Sequence, residues 1–117
     1  MNTIYYNDLI STIKRTVSQL QNDALTTVGD YAFCGCSSLT SIDLPNVTTV
    51  GSSAFGGCSS LTSINLPNVT TVRSRAFYRC ESLREIHFAA KNKKAIEALS
   101  GYSNKFGATN ATIYFDI

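Results

Sequence analysis

Four cysteines and a single histidine carry most of the reactive chemistry available to this 117-residue chain. Cys36, Cys58 and Cys80 recur every 22 residues, and Cys34 stands two places before the first of them. Such cysteines could ligate zinc or pair as disulfides. Zinc needs ligands that converge tetrahedrally, whereas positions repeating on stacked coils form a line. One histidine also excludes any multi-histidine metal site. A disulfide between neighbouring rungs is conceivable from the spacing, but it would disturb the stack. The three in-register cysteines are therefore expected as free, buried thiols that pack as small apolar residues. Cys34, off that register, is expected to be more exposed and is the thiol placed to oxidise or cross-link two chains. His87 follows Glu85 by two residues, so the two share one face of a strand and could form a proton-transfer pair. No nucleophile or oxyanion donor accompanies them, and the expectation is no catalytic residue, no metal and no cofactor.

The elements that would position these residues come from an internal repeat, which is best sought before any helix or strand. Residues 25–46 read LTTVGDYAFCGCSSLTSIDLPN, residues 47–68 read VTTVGSSAFGGCSSLTSINLPN, and residues 69–90 read VTTVRSRAFYRCESLREIHFAA. Apolar residues recur in register, among them Val28/Val50/Val72, Phe33/Phe55/Phe77, Leu39/Leu61/Leu83 and Ile42/Ile64/Ile86. A unit this short cannot bury so many apolar side chains alone, but stacked coils can, each position packing on its own copy above and below. The alternation around Ile42 and Leu44 points those residues inward and Ser41 and Asp43 outward, as in a half-buried strand. Pro45 and Pro67, each followed by Asn, should end the strands, and the A-F-x-x-C segment should form a helical or 3₁₀ turn on the opposite side.

The pattern L-x-x-[IV]-x-x-x-A-F-x-x-C-x-x-L-x-x-I-x-L-P resembles the BspA-type leucine-rich repeat, here as a short bacterial or phage-associated member, and matches over residues 25–90. In the third copy Phe88 and Ala89 replace Leu-Pro and Arg73 replaces a glycine, which suits a terminal repeat meeting a cap. The resemblance implies an α/β repeat fold, a right-handed leucine-rich repeat solenoid with a short parallel β-sheet. Proteins of that family are mostly surface or secreted proteins associated with adhesion, so it implies binding and no catalysis.

Both ends of a three-coil stack need covering. Tyr6, Leu9, Ile10, Ile13, Val17 and Leu20 fall at helical spacings, predicting an amphipathic capping helix of about 13–15 residues within residues 1–24, with Asn7 or Asp8 as N-cap and Lys14, Arg15, Ser18 and Gln19 on its polar face. Residues 91–117 read as an α/β cap: a helix from about Asn92 to Ser100 ended by Gly101, then a strand in ATIYFDI, giving four parallel strands in all.

The outward strand positions Ser41, Asp43, Ser63, Asn65, Glu85 and His87 form the candidate binding surface, on the concave face. They are small and polar, without the aromatic or arginine anchors that dominate tight interfaces. A second candidate is a basic patch. Residues 69–94 hold seven basic residues against two acidic, whereas residues 1–68 hold two against four. Arg73, Arg75, Arg79, Lys91, Lys93 and Lys94 could face an acidic glycan, nucleic acid or acidic protein, although only Tyr78 supplies the aromatic interleaving that nucleic-acid binding calls for. The formal charge of the whole chain, +2, demands no such partner. No apolar run approaches the length that spans a bilayer, and MNTIYYNDLISTIKRTVSQL lacks the layout of a secretory signal; the family resemblance nevertheless implies a cell-surface or secreted setting. Asn46, Asn68 and Asn110 stand in Asn-X-Thr triplets and are read as structural. The leading reading is a non-enzymatic adhesion-type module with a protein or glycan ligand. The rival is a structural or assembly component docking through its N-terminal helix.

Overall fold

The computed structural model describes residues 2–117. Nine short strands and two helices follow one another along it: β1 (Thr3–Ile4), α1 (Ser11–Thr16), β2 (Gln19–Gln21), β3 (Thr27–Val28), β4 (Ser41–Asp43), β5 (Thr49–Val50), β6 (Ser63–Leu66), β7 (Thr71–Val72), β8 (Glu85–Phe88), α2 (Lys93–Glu97) and β9 (Thr112–Phe115). All pairings are parallel, and those between the 22-residue units join equivalent residues: Val28 faces Val50, which faces Val72, and Ile64 faces Ile86. Consecutive strands cannot pair in parallel without a crossover. Each coil therefore makes a full circuit before meeting its neighbour.

The expected strand segments L-x-x-I-x-L do pair, and β9 adds to β8 as the last strand, Ile113 against Ile86. The face holds five strand positions where four were expected, because β2 pairs with β4. Its ladder divides into a two-stranded and a three-stranded part, β4 lying beside β6 without joining it. A second sheet, in the order β1-β3-β5-β7, is built from Thr3-Ile4 and from the Thr-Val pairs near the start of each unit. Its valines are buried and its threonines half-buried, so two residues per coil suffice for the alternation of a strand.

The N-terminal segment differs from the single helix expected there. It makes a strand, a 3₁₀ turn (Tyr6–Asp8), a six-residue helix and a second strand, which is one more coil of the stack. The apolar positions accordingly divide: Leu9, Val17 and Leu20 pack against the core, while Ile10, Ile13 and Tyr6 remain exposed. Asp8 accepts the Tyr5 N–H at 2.7 Å and so closes the 3₁₀ turn instead of capping a long helix. Lys14, placed by helical spacing on the polar face, is buried. It sits 22 residues before Cys36, at the end of the thiol column, and its ammonium donates to the Tyr6 carbonyl at 3.1 Å. Its stem covers apolar surface while its head keeps a polar partner. Strand pairing at both ends of the segment satisfies more backbone groups than an isolated helix of that length would.

The far end also differs in detail. A 3₁₀ turn (Ala90–Asn92) leads into α2, which closes at Ala98, and Gly101 has a negative φ. The left-handed residues are Lys105, Phe106 and Gly107. Gly101 is needed for another reason: a Cβ there would meet the Phe106 ring at 2.9 Å.

The core is a set of files running through the coils. Phe33, Phe55 and Phe77 stack at centroid distances of 5.4 and 5.6 Å, and Phe88 continues the aromatic core toward Phe106. The A-F-x-x-C segments form consecutive three-residue turns that also bond coil to coil, Phe33 N–H to Ala54 C=O and Phe55 N–H to Ala76 C=O, each at 2.8 Å. A regular helix is interrupted there by left-handed residues at Tyr31, Ser53 and Arg75 and at Gly35, Gly57 and Arg79, again 22 apart. Asn46 and Asn68 donate their side-chain amides to the preceding coil, to Asp23 C=O at 2.8 Å and Pro45 C=O at 2.6 Å, which gives both a structural part.

Candidate functional site

On the face formed by β2, β4, β6, β8 and β9, the side chains pointing away from the core lie in two files. One runs through Gln19, Ser41, Ser63, Glu85 and Thr112; the other runs through Gln21, Asp43, Asn65, His87 and Tyr114. All are exposed except His87, which is half-buried. The six expected residues thus share one surface, and the structure adds Gln19, Gln21, Thr112 and Tyr114 to it. Those four were missed because their coils lack the repeat motif; only period-two alternation in QLQ and TIYF marked them.

His87 is the one chemically distinctive group on this face. Its Nε2 lies 2.7 Å from Glu85 Oε1 and its Nδ1 2.9 Å from Asp116 Oδ1, and the ring stacks on Tyr114 at 4.8 Å. A neutral imidazole has one N–H, so two carboxylates facing both nitrogens call for the doubly protonated, charged ring. Partial burial opposes that charge, but the hydrogen bonds the ring donates to Asp116 and then Glu85 outweigh it and hold the pKa above the usual histidine value. Alternation in ATIYFDI sets Asp116 on the same side as Tyr114, opposite Ile113 and Phe115, but its contact with His87, 29 residues away, depends on the pairing of β9 with β8 and could not be read from the sequence. The histidine is held between carboxylates, and the Cys80 thiol is buried and donates to Phe55 C=O at 2.9 Å. The cluster is an ion-pair clasp between β8 and the end of the chain.

A measurable consequence follows from the raised pKa. The clasp contributes its full stability below about pH 6.5, the ordinary histidine value, and loses it as pH rises through the folded-state pKa. With a single histidine in the chain, an NMR titration reads it without ambiguity. The midpoint is expected above 6.5 and should fall in Asp116→Asn; a midpoint at or below 6.5 in the parent protein would contradict the clasp.

The cysteines occupy the places expected of them. Cys36, Cys58 and Cys80 are buried and free, and Cys34 is free and half-buried. Cys58 donates to Phe33 C=O at 3.3 Å. Hydrogen bonding with Cys36 and Cys80, together with burial, pushes its thiol well up, so it stays protonated and unreactive.

The six basic residues are exposed but fall into three settings. Arg73 lines a groove shared with the N-terminal coil. Arg75 and Arg79 each lie 5.4 Å from the centre of the Tyr78 ring, where hydrogen bonding from Arg79, reinforced by its charge, holds the phenol below its usual pKa. Lys91, Lys93 and Lys94 belong to the C-terminal cap, Lys93 lying 5.7 Å from the Phe115 ring.

No helix among the described residues is long and apolar enough to cross a membrane. The chain is similar in fold to a leucine-rich cell surface protein of Faecalibacterium prausnitzii A2-165, with a TM-score of 0.65 and 23% identity over 84% of this chain and 25% of that one. It is similar likewise to a leucine-rich repeat protein of Bacteroides ovatus ATCC 8483, with a TM-score of 0.56 and 21% identity over 86% of this chain and 37% of that one. The chain therefore spans well under half the length of either. No curated protein matches it. The model of the BspA type leucine-rich repeat region matches in six copies across residues 3–107, reaching beyond the 25–90 register at both ends and into the coil that β1, α1 and β2 build. The chain belongs to the BspA-type leucine-rich repeat family.

Proposed function

We propose that this chain is a non-enzymatic binding module of the adhesion type, presenting the outward face of β2, β4, β6, β8 and β9 to a protein or glycan. The observation that carries the reading is the pair of files of polar side chains, in register within β2–β4 and within β6–β8–β9 and exposed except at His87. Repeat surfaces of this kind spread recognition over successive rungs. Tyr114 gives the face an aromatic anchor of the type that concentrates binding energy. A surface setting accords with this reading and with the cell-surface description of the Faecalibacterium protein.

The test is binding to immobilised extracellular-matrix proteins and to neutral and acidic glycans, at about 0.15 M and about 0.5 M salt. Binding that survives salt and falls about tenfold in Asp43→Trp or Asn65→Trp is the expected result. Binding that vanishes with salt and depends on Arg75 and Arg79 would move the site to the basic residues. The assembly reading draws on a separate observation. Ile10 and Ile13 are exposed at the end of the stack where β1 and β2 are edge strands, the kind of edge that invites pairing. Its mark would be a dimer in sedimentation that Ile10→Asp abolishes.

A further inference from the structure

One depression lies away from the outward strand face, at the end of the β1-β3-β5-β7 sheet. It is an open groove of about 680 Å³. Strand register explains its shape. Ile4 pairs with Val28, Val28 with Val50 and Val50 with Val72, so the next residues, Tyr5, Gly29, Gly51 and Arg73, form one row. The two middle positions lack side chains and the two outer ones carry long side chains. Four strands at the usual spacing set the walls about 14 Å apart.

The two outer members of the row depart from what folding alone requires, whereas the two glycines are demanded by the close packing of the coils. Tyr5 is 52% exposed, although a ring that size is ordinarily put to use as buried or contact surface. Arg73 stands where the two preceding units have glycine, and among the described residues it makes no ion pair. Gly29 cannot carry a Cβ, which would lie 2.7 Å from the Ile4 carbonyl oxygen. Over Gly51 folds Asp30, whose Oδ1 accepts the Ser52 N–H at 2.8 Å, leaving Oδ2 as an acceptor in the groove. Thr3, Tyr6, Asn7 and Thr27 complete the lining.

The geometry points to this groove as a binding site for a neutral oligosaccharide, with a sugar ring laid on Tyr5 and its hydroxyls shared between Asp30, Asn7, Thr27 and Arg73. The chemistry separates this ligand from others. The Asp30 carboxylate accepts hydroxyl protons, the Arg73 guanidinium donates to hydroxyl oxygens, and Asn7 does both. Their opposite charges cancel, so the groove has no net field for an anionic or cationic chain. A peptide laid across the floor finds no free N–H there: those of Gly29, Gly51 and Arg73 are already given to Ile4, Val28 and Val50 at 2.8–2.9 Å. What remains open is an aromatic face and a ring of hydroxyl-matching groups, the combination that orients a small polar ligand.

The site is independent of the outward strand face and fails or holds separately from it. The test is an NMR titration of the labelled chain with cellohexaose, mannohexaose and chitohexaose, each to about 10 mM, a concentration that saturates a millimolar site. At least one is expected to shift the amides of Tyr5, Gly29, Asp30 and Arg73 together, and Tyr5→Ala and Arg73→Gly are each expected to weaken that sugar about tenfold. Arg73→Gly restores the residue of the other two units, and its unshifted spectrum elsewhere certifies the fold. Asn65→Trp should leave the affinity unchanged. The proposal is overturned if none of the three sugars moves these amides, or if the shifts persist undiminished in both groove variants.

Discussion

Phe55→Ala lowers the stability of the fold by about 4 kcal/mol, within the range for truncating a fully buried phenylalanine. Phe55 has no solvent exposure and is the middle ring of the stack, 5.4 Å from Phe33 and 5.6 Å from Phe77. The substitution removes its own buried surface and strips both neighbours of an aromatic partner. The void cannot be filled from the side, because Phe55 N–H to Ala76 C=O at 2.8 Å and Gly57 N–H to Tyr78 C=O at 2.7 Å fix the coil spacing. Phe33→Ala is expected to cost less, since Phe33 has one stacking neighbour in this file. Urea unfolding of the two variants checks the order. A loss at Phe55 smaller than at Phe33 would mean that the stack does not hold the coils together.

Gly51→Ala is the second large effect, about 3 kcal/mol, at the upper end of overpacking costs. A Cβ on Gly51 would lie 2.6 Å from Asp30 N and Oδ1 and 2.7 Å from the Gly29 carbonyl carbon. Two of these atoms are backbone, so the previous coil must move, and the Asp30 bond to Ser52 N–H is lost with it. The contrast is Gly35→Ala. Gly35 has φ +85° but open space around its Cβ direction, so the cost there is the left-handed penalty alone, about 1 kcal/mol. Adding Asp30→Ala to Gly51→Ala should recover only the side-chain part of the loss. Thermal unfolding that ranks Gly35→Ala as the more damaging change would refute this assignment of the two glycines.

Much of this was legible in the sequence because repetition amplifies weak signals. One L-x-x-I-x-L segment could be a strand or part of a helix. Three of them in 22-residue register cannot each bury their apolar residues except by stacking. That argument placed Ile42, Ile64 and Ile86 inward, Ser41, Asp43, Ser63 and Asn65 outward, and the three cysteines in the core. It failed where the register lapses. Within residues 1–24 the spacing of Leu9, Val17 and Leu20 fits a helix as well as a coil, and only pairing of Gln19–Gln21 with Ser41–Asp43 decides between them. The buried Lys14 follows from the same pairing, since nothing local distinguishes it from the exposed Arg15.

What the sequence determined by itself is therefore the repeat, its family resemblance, the files of the core and the sheet face, all of which depend on residues a fixed distance apart along the chain. What only the tertiary structure decided depends on residues brought together across coils. The clasp joins His87 to Asp116 through β9, and the groove sets Tyr5 against Arg73 across two glycines. The physical reason is that periodicity fixes which side of a strand a residue takes, whereas its partners are set by which coils stack and in what register. That register is established by backbone pairing between segments whose side chains need not resemble one another.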